Sequence, residues 1–133
     1  MIPKKGDYFG ETYKAEVFAI KILSEFLNVN EKEFEHLFLK NKIAPFDIKF
    51  NNLKYDVKFA NPTLSDSKKS IKSWTFDIRH KQNYCNFLVL IGMDENLPMK
   101  LFLIPAINIP KKHLRVSING KSKWHRFQIW ERK

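Results

Sequence analysis

The alternation of apolar and polar residues on both sides of Asn51-Asn52 constrains the fold of this chain more than any other feature. Asparagine tolerates positive φ, so this pair between two alternating segments predicts a β-hairpin over residues 45–60. Because strand side chains alternate between faces, one face is apolar and consists of Phe46, Ile48, Phe50, Leu53, Tyr55, Val57 and Phe59. The other face carries Asp47, Lys49, Lys54, Asp56 and Lys58.

The register of this hairpin brings two acids together. Counting outward from a two-residue turn puts Asp47 opposite Asp56. Opposed Cβ atoms lie roughly 4.5–5.5 Å apart, and like charges at that spacing destabilise a sheet. A divalent cation would offset the repulsion, since two carboxylates can ligate one hard metal, and Lys58 on the same face is placed to stabilise a developing anion. A face of solvated Asp–Lys pairs fits the same pattern, and the hairpin alone does not decide between them.

Length and composition bound the class of protein. The chain has 133 residues, which predicts a single domain over 1–133. Hydrophobic residues make up 44% and charged residues 29%, as in soluble globular proteins, and no apolar run approaches the roughly 18 residues of a membrane span. The N-terminus lacks the apolar core of a signal peptide, so we expect a cytoplasmic location, at the nucleoid if the source is bacterial. A single cysteine excludes an intramolecular disulfide.

The charge points to a polyanionic partner. The formal net charge is +10 and the pI about 9.7, which favours nucleic acid as that partner. Eight basic residues against one acid fall within residues 110–133, interleaved with aromatic residues. This predicts a basic hairpin or arm that extends the domain and contacts phosphates; the alternative is that its aromatics are core and its lysines merely solubilise. The predicted nucleic-acid contacts are Lys111, Lys112, Arg115, Lys121, Lys123 and Arg126, together with Lys68, Lys69 and Lys72 in a loop over 61–73.

An acid also falls on the apolar side of the first predicted helix, over residues 8–28. At about 100° per residue, the core side of that helix gathers Ala15, Phe18, Ala19, Ile22, Leu23, Phe26 and Leu27. Glu16 projects between two of the leucines, whereas Glu11 lies at the margin of the stripe and Glu25 on the polar side. An inward carboxylate must be paired, hydrogen-bonded or metal-bound. The alternative is that Glu16 tips to solvent past the leucines or pairs with a lysine.

The remaining pattern predicts one more helix and three strands. A capping box at Asn30 predicts a short helix over 31–41. Alternation predicts a third strand over 74–79, and the apolar run over 87–92 predicts a strand buried at the sheet centre. A further strand is predicted over 100–104.

This order of elements resembles the PD-(D/E)xK nuclease superfamily. Pro45-Phe-Asp47 and Asp56-Val-Lys58 carry the resemblance, and residues 15–23 look like the first helix of that family. The resemblance implies an α/β (α+β) fold: a mixed central sheet with N-terminal helices and a restriction-endonuclease-like αβββαβ core. It also implies Asp47 and Asp56 as ligands of Mg²⁺, or of Mn²⁺ in its place, with Glu16 as an additional ligand and Lys58 orienting or activating the attacking water. Whether Glu16 or Glu11 completes the metal site stays open.

The function implied by the resemblance is metal-dependent hydrolysis of phosphodiester bonds in double-stranded DNA. A compact chain with one site and no recognition domain suggests a homing-type or restriction-like endonuclease that acts as a homodimer, without a membrane or small-molecule cofactor. A Holliday-junction resolvase of the same fold is an alternative. So is a non-catalytic basic nucleic-acid-binding module, or an RNA-associated protein that stacks bases on Trp74, Trp124 and Trp130.

Overall fold

The computed structural model describes residues 12–36, 47–64, 72–79, 84–118 and 122–133, apart from the side chains of Thr12, Tyr13, His36 and Leu64. The elements are α1 (Thr12–Leu27), β1 (Glu35–His36), β2 (Ile48–Phe50), β3 (Leu53–Ala60), β4 (Thr63–Leu64), β5 (Lys72–Asp77), β6 (Phe87–Asp94), β7 (Leu97–Pro105), β8 (His113–Ser117) and β9 (Gln128–Glu131). Short 3-10 turns cover Glu31–Glu33, Ala106–Asn108 and Lys123–Phe127. The broad α+β class is therefore confirmed.

The strands form two sheets. The larger sheet has the order β1-β2-β3-β6-β7-β9, and β4, β5 and β8 form a smaller sheet with β5 in its centre. Among the described strands of the larger sheet, β3 and β6 pair in parallel and the other neighbours are antiparallel, so this sheet is mixed. The predicted hairpin is confirmed over β2 and β3, with the predicted register from Ile48–Tyr55 to Phe50–Leu53; residues 45 and 46 lie outside the described residues. Both turn asparagines have positive φ, 50° and 67°, which a type I′ turn requires.

The larger sheet lies between α1 and the smaller sheet. Alternate residues of β6 face opposite ways: Val89 and Ile91 pack with α1, whereas Leu88 and Leu90 pack with β5 and β8. Six consecutive residues from Leu88 are buried, which confirms the predicted central strand. Gly92 allows the two sheets to approach closely, because a Cβ there would overlap the ring of Trp74. The indole Nε1–H of that tryptophan donates to the Met93 carbonyl at 2.7 Å.

Helix α1 follows most of its sequence pattern. Ala15, Ala19, Ile22 and Leu23 are buried against the larger sheet, as expected. Phe26, however, is 54% exposed, and Leu27 is also exposed, so the prediction that the last turn faces the core was wrong. The helix ends at Leu27 and Asn28 has positive φ, 57°. The chain thus turns away at the point where the apolar stripe would have continued.

The second predicted helix was wrong over the residues that the structure describes. The capping box at Asn30 is present, with Glu33 as its partner, but it caps only a 3-10 turn. Phe34 is already extended, with φ −88° and ψ 134°, and its ring stacks on Phe50. Tertiary packing onto the hairpin therefore overrides the helical spacing of the apolar residues. The chain continues as edge strand β1; residues 37–41 lie outside the described residues.

The third predicted strand exists but is not in the sheet of the hairpin. Trp74, Phe76 and Ile78 are buried on one side, as the alternation predicts. The strand begins at Lys72 and pairs with β4 and β8, so part of the predicted loop over 61–73 is a small antiparallel pair. Periodicity specifies which face of a strand is buried, but it carries no information on its neighbour. The resemblance predicts that three consecutive strands after the helix lie in one sheet. In the structure, β2 and β3 are followed in the larger sheet by β6, which runs parallel to β3.

The basic C-terminal segment is built into both sheets and does not extend from them as an arm. Strand β8 pairs with β5, and β9 forms an edge of the larger sheet beside β7. Trp124 is buried between the sheets, which fits the alternative that the aromatics of this segment are core. Among the described residues, no helix has both the length and the apolarity needed to cross a bilayer.

Candidate functional site

Asp47 occupies the end of β2 and bonds to the neighbouring strand through both backbone and side chain. Its amide donates to the carbonyl of Tyr55 at 2.9 Å, although Tyr55 is the register partner of Ile48. Its Oδ2 accepts the amide of Val57 at 2.8 Å. The Asp47 carboxylate therefore accepts a hydrogen bond that a backbone carbonyl of the strand would otherwise accept. Counting from the turn predicts that Asp47 pairs with Asp56, and this part of the prediction was wrong. The hydrogen bond from the Val57 amide fixes the Asp47 side chain at the end of the strand.

Asp56 and Lys58 lie on the opposite face of β3 from Tyr55 and Val57, which pack under α1. Asp56 is only 3% exposed, so the prediction of a wholly solvated Asp–Lys face does not hold for this residue. The Nζ of Lys58 lies 3.9 Å from Oδ2 of Asp56, and the lysine side chain is 37% exposed. A buried acid thus stands beside a cation that solvent reaches.

Glu16 is fully buried on the sheet side of α1, as the helical projection predicts. Its carboxyl group lies close enough to Asp47 and Asp56 for both to influence its pKa. Burial is the largest cause that raises the pKa of Glu16, to about 8; the charge and hydrogen bond of Asp47 and the charge of Asp56 add to it. Near neutral pH Glu16 is therefore mostly protonated.

These three acids form the carboxylate cluster: Glu16, Asp47 and Asp56. The position of Asp47 explains how they meet, even though α1 and Asp56 lie on opposite faces of the larger sheet. Because the Asp47 carboxylate accepts a backbone amide of β3, it lies level with the sheet and is open to Glu16 from the helix side. Sequence periodicity assigns each residue to one face, so it gives no indication of this arrangement at a strand end.

The donor set of the cluster suits a hard cation. Magnesium is bound by carboxylate oxygens, often only one or two, with water and phosphate oxygens completing its shell. Asp47 and Asp56 supply such oxygens, and the raised pKa of Glu16 shows that negative charge is already concentrated there. Among the described residues, no group of three or more His, Cys, Asp or Glu side chains is arranged to hold a metal ion. The carboxylate oxygens of Asp47 and Asp56 suit such an ion by their chemistry.

The predicted nucleic-acid contacts are distributed over several surfaces. Arg115 projects outward from β8, opposite Thr75, and is exposed. Lys111 and Lys112 are exposed just before β8, and Lys72 is exposed at the start of β5. On the 3-10 turn before β9, Lys123 lies over the Trp124 ring and Arg126 over the Phe127 ring. Lys68, Lys69 and Lys121 lie outside the described residues, as does Glu11.

The three tryptophans are not available as base-stacking platforms. Trp74 is 0% exposed and Trp124 is 8% exposed. Trp130 is half-buried and meets Phe18 of α1 edge-on, with ring centroids 5.2 Å apart. The proposed mode of binding single-stranded RNA through these residues was therefore wrong.

The sequence also indicated a buried lysine that the prediction overlooked. Lys100, Phe102 and Ile104 share one face of β7 by simple alternation, and that face is buried. Lys100 is 7% exposed. The ring of His125 covers the same face, edge-on to Phe102 with centroids 5.3 Å apart. The period-two pattern around Lys100 was the signal that could have found this group.

The chain matches no protein-family model, and comparisons with curated proteins and with solved structures gave no match. The interpretation of the carboxylate cluster therefore depends on its own residues and geometry.

Proposed function

We propose that the protein is a metal-dependent endonuclease that hydrolyses phosphodiester bonds of double-stranded DNA. The observation that carries this proposal is the meeting of Glu16, Asp47 and Asp56 at the end of the β2–β3 hairpin, with Lys58 beside Asp56. Glu16 and Asp56 are buried, and bringing acids together in this way is costly unless protons, cations or hydrogen bonds compensate their charge. A structural role does not require that concentration of acids beside a solvent-accessible lysine.

Asp47 and Asp56 would hold the ion, Mg²⁺ or Mn²⁺. The ion supplies a Lewis acid that polarises the phosphate and lowers the pKa of a bound water. Asp47 is suited to a fixed position, because one of its oxygens is already held by the Val57 amide at 2.8 Å. Glu16 contacts Asp47 from the helix side and would act as an additional ligand, directly or through water.

Lys58 would act on the substrate side of the site. Its ammonium is partly exposed and lies 3.9 Å from the Asp56 carboxylate. A cation there can orient the attacking water and stabilise the negative charge that builds on the phosphate oxygens. The water forms the new P–O bond as the bond to the leaving sugar oxygen breaks, and a proton passes to that oxygen.

We propose duplex DNA as the substrate because the chain carries a formal net charge of +10 and exposes cations on β8 and on the turn before β9. Such contacts hold phosphates irrespective of sequence. One site per chain cuts one strand, so we propose a homodimer of homing or restriction-like type for double-strand cleavage. The proposed site requires only two parts of a restriction-endonuclease-like core, α1 and the β2–β3 hairpin.

The test is incubation with plasmid and phage DNA in Mg²⁺ and in EDTA. We expect nicking or linearisation only with the metal, and loss of that activity in Lys58→Ala with DNA binding retained. Lys54→Ala is the matched control, because Lys54 is exposed on the same face of the same strand. Absence of metal-dependent cleavage on every DNA tried would contradict the proposal.

The exposed cations support a second function, a non-catalytic nucleic-acid-binding module. In that case Lys58→Ala and the wild type would bind DNA equally and neither would cut it. A junction resolvase of the same fold would instead cut four-way DNA junctions in preference to linear duplex. Comparing the two substrates in one assay separates these outcomes.

A further inference from the structure

Lys100 is a buried cation on the face of the larger sheet that meets the smaller one. Its Nζ donates to the carbonyl of Ile118 at 3.4 Å, a long hydrogen bond. An ammonium group has three donors, and a buried charge is ordinarily paired. None of the acids that the structure describes lies within ion-pair distance of this nitrogen. Glu131, opposite Lys100 on β9, is exposed, and its Oε1 accepts from Gln128 at 3.0 Å.

His125 lies next to Lys100. Its ring packs against Phe102, which is two residues along β7 from Lys100 and hence on the same face. Its Nδ1 lies 2.9 Å from the hydroxyl of Ser122. Its Nε2 is buried and has no hydrogen-bond partner among the described residues. Burial, and then the charge of Lys100, lowers the pKa of this histidine, whereas the charge of Glu131 acts in the opposite direction.

We propose that Lys100 and His125 form a binding site for a phosphate oxyanion. An anion there would accept from the Lys100 ammonium and from Nε2 of His125, and it would offset the repulsion between them. The Ser122 hydroxyl is within reach of the same imidazole. Lys123 and Arg126 are exposed on the turn that carries His125, and both side chains are cationic. His125 is only half-buried, so the anion would enter from its side.

The phosphate could be inorganic phosphate or a phosphodiester of a nucleic-acid backbone, and both present the same oxygens. This site lies on β7 and the turn before β9, whereas the carboxylate cluster is at the end of the β2–β3 hairpin. The inference therefore does not depend on the proposed nuclease activity.

The test follows the Cε1–H signal of His125 by NMR during titration with inorganic phosphate and, separately, with a short DNA duplex. The signal is assigned by its loss in His125→Asn. We expect a saturable shift in the wild type and an apparent affinity at least about tenfold weaker in Lys100→Met. Lys32→Met is the control, because it removes an exposed lysine that belongs neither to this site nor to the predicted nucleic-acid contacts. It should bind almost as the wild type does.

The two titrations distinguish the sources. A shift with both ligands assigns the site to phosphates in general, including the DNA backbone, and a shift with inorganic phosphate alone assigns it to a free ion. No saturable shift with either ligand, in the wild type, would overturn the proposal. Equal affinity in Lys100→Met and the wild type would also overturn it, provided that the amide spectrum shows the variant folded. Asp56→Asn should still bind phosphate, because Asp56 is not part of this site. A loss of DNA cleavage and a loss of phosphate binding can therefore be distinguished.

Discussion

The carboxylate cluster and the basic surface of this protein are built in opposite ways. Glu16 and Asp56 are buried, Asp47 is partly exposed, and the charges of both aspartates act on Glu16, so the acids depend on one another. The basic surface, made of Lys111, Lys112, Arg115, Lys123 and Arg126, consists of exposed side chains on β8 and on the turns beside it. Buried groups that interact are non-additive, whereas exposed and separate charges contribute in small, nearly independent amounts. We therefore expect the residues that act in catalysis to lie together at one end of the hairpin, and the residues that contribute to DNA affinity to be spread over a surface.

The largest expected effect is on the chemical step. Asp56→Asn removes a buried carboxylate that would hold the metal ion and should slow metal-dependent DNA cleavage about 10²–10³-fold, because the ion would supply the charge stabilisation at the reacting phosphate. DNA affinity should be nearly unchanged. Rates from plasmid nicking and affinities from fluorescence anisotropy give the two quantities. Asp94→Asn, at the end of β6, is the control; if it slows cleavage equally, the division between the two regions fails.

The next effect is on the fold that both regions share. Gly92→Ala puts a methyl group into the ring of Trp74 between the sheets and should destabilise the protein by about 1–3 kcal/mol. Urea unfolding measures this change. Combining it with Trp74→Phe should cost less than the two single changes together, since the smaller ring leaves space. Strict additivity would show that the two residues do not meet.

The third prediction concerns pH. The pKa of Glu16 is raised to about 8 from its ordinary value of 4.5, so the folded protein binds a proton that the unfolded chain releases between these values. Without metal, the contribution of this group to the free energy of unfolding should therefore be highest below about pH 4.5 and should fall steadily as the pH rises to 8. Chemical denaturation across that range measures it.

Glu16→Gln keeps the size of the protonated acid and removes its titration. The slope of unfolding free energy between pH 5 and 8 should become much flatter in this variant, whereas Glu25→Gln, exposed on the same helix, should leave it unchanged. A wild-type slope that persists in Glu16→Gln would show that another group is responsible.

The smallest effect is expected on the basic surface. Arg115→Ala should weaken DNA binding modestly for every sequence and reduce the slope of log affinity against log salt by about one. Lys32→Ala, exposed in the turn after α1, should leave the slope unchanged. A loss of affinity for only one target sequence would instead show that Arg115 contacts bases.

Local pattern predicted the local features of this protein. The Asn51-Asn52 turn, the register of the hairpin and the buried faces of β5 and β6 follow from alternation and turn chemistry. The inward position of Glu16 follows from helical projection. Each of these depends on neighbours within a few residues, where steric rules are strong.

Features that depend on distant contacts could not be predicted in this way. Phe34 is extended because it stacks on Phe50, and β5 lies in the smaller sheet because it pairs with β8. The position of the Asp47 side chain depends on the hydrogen bond that it accepts from the Val57 amide of β3. Sequence periodicity records the face of a residue, not the partner that it meets, so the acids of the site were identified without their geometry.

The most direct test of the central claim is binding of Mn²⁺, followed by electron paramagnetic resonance of the free ion. The account predicts one Mn²⁺ per chain, with affinity clearly reduced in Asp47→Asn and in Asp56→Asn and unchanged in Asp94→Asn. Binding that is absent in the wild type, or equal in all four proteins, would contradict a metal site at the carboxylate cluster.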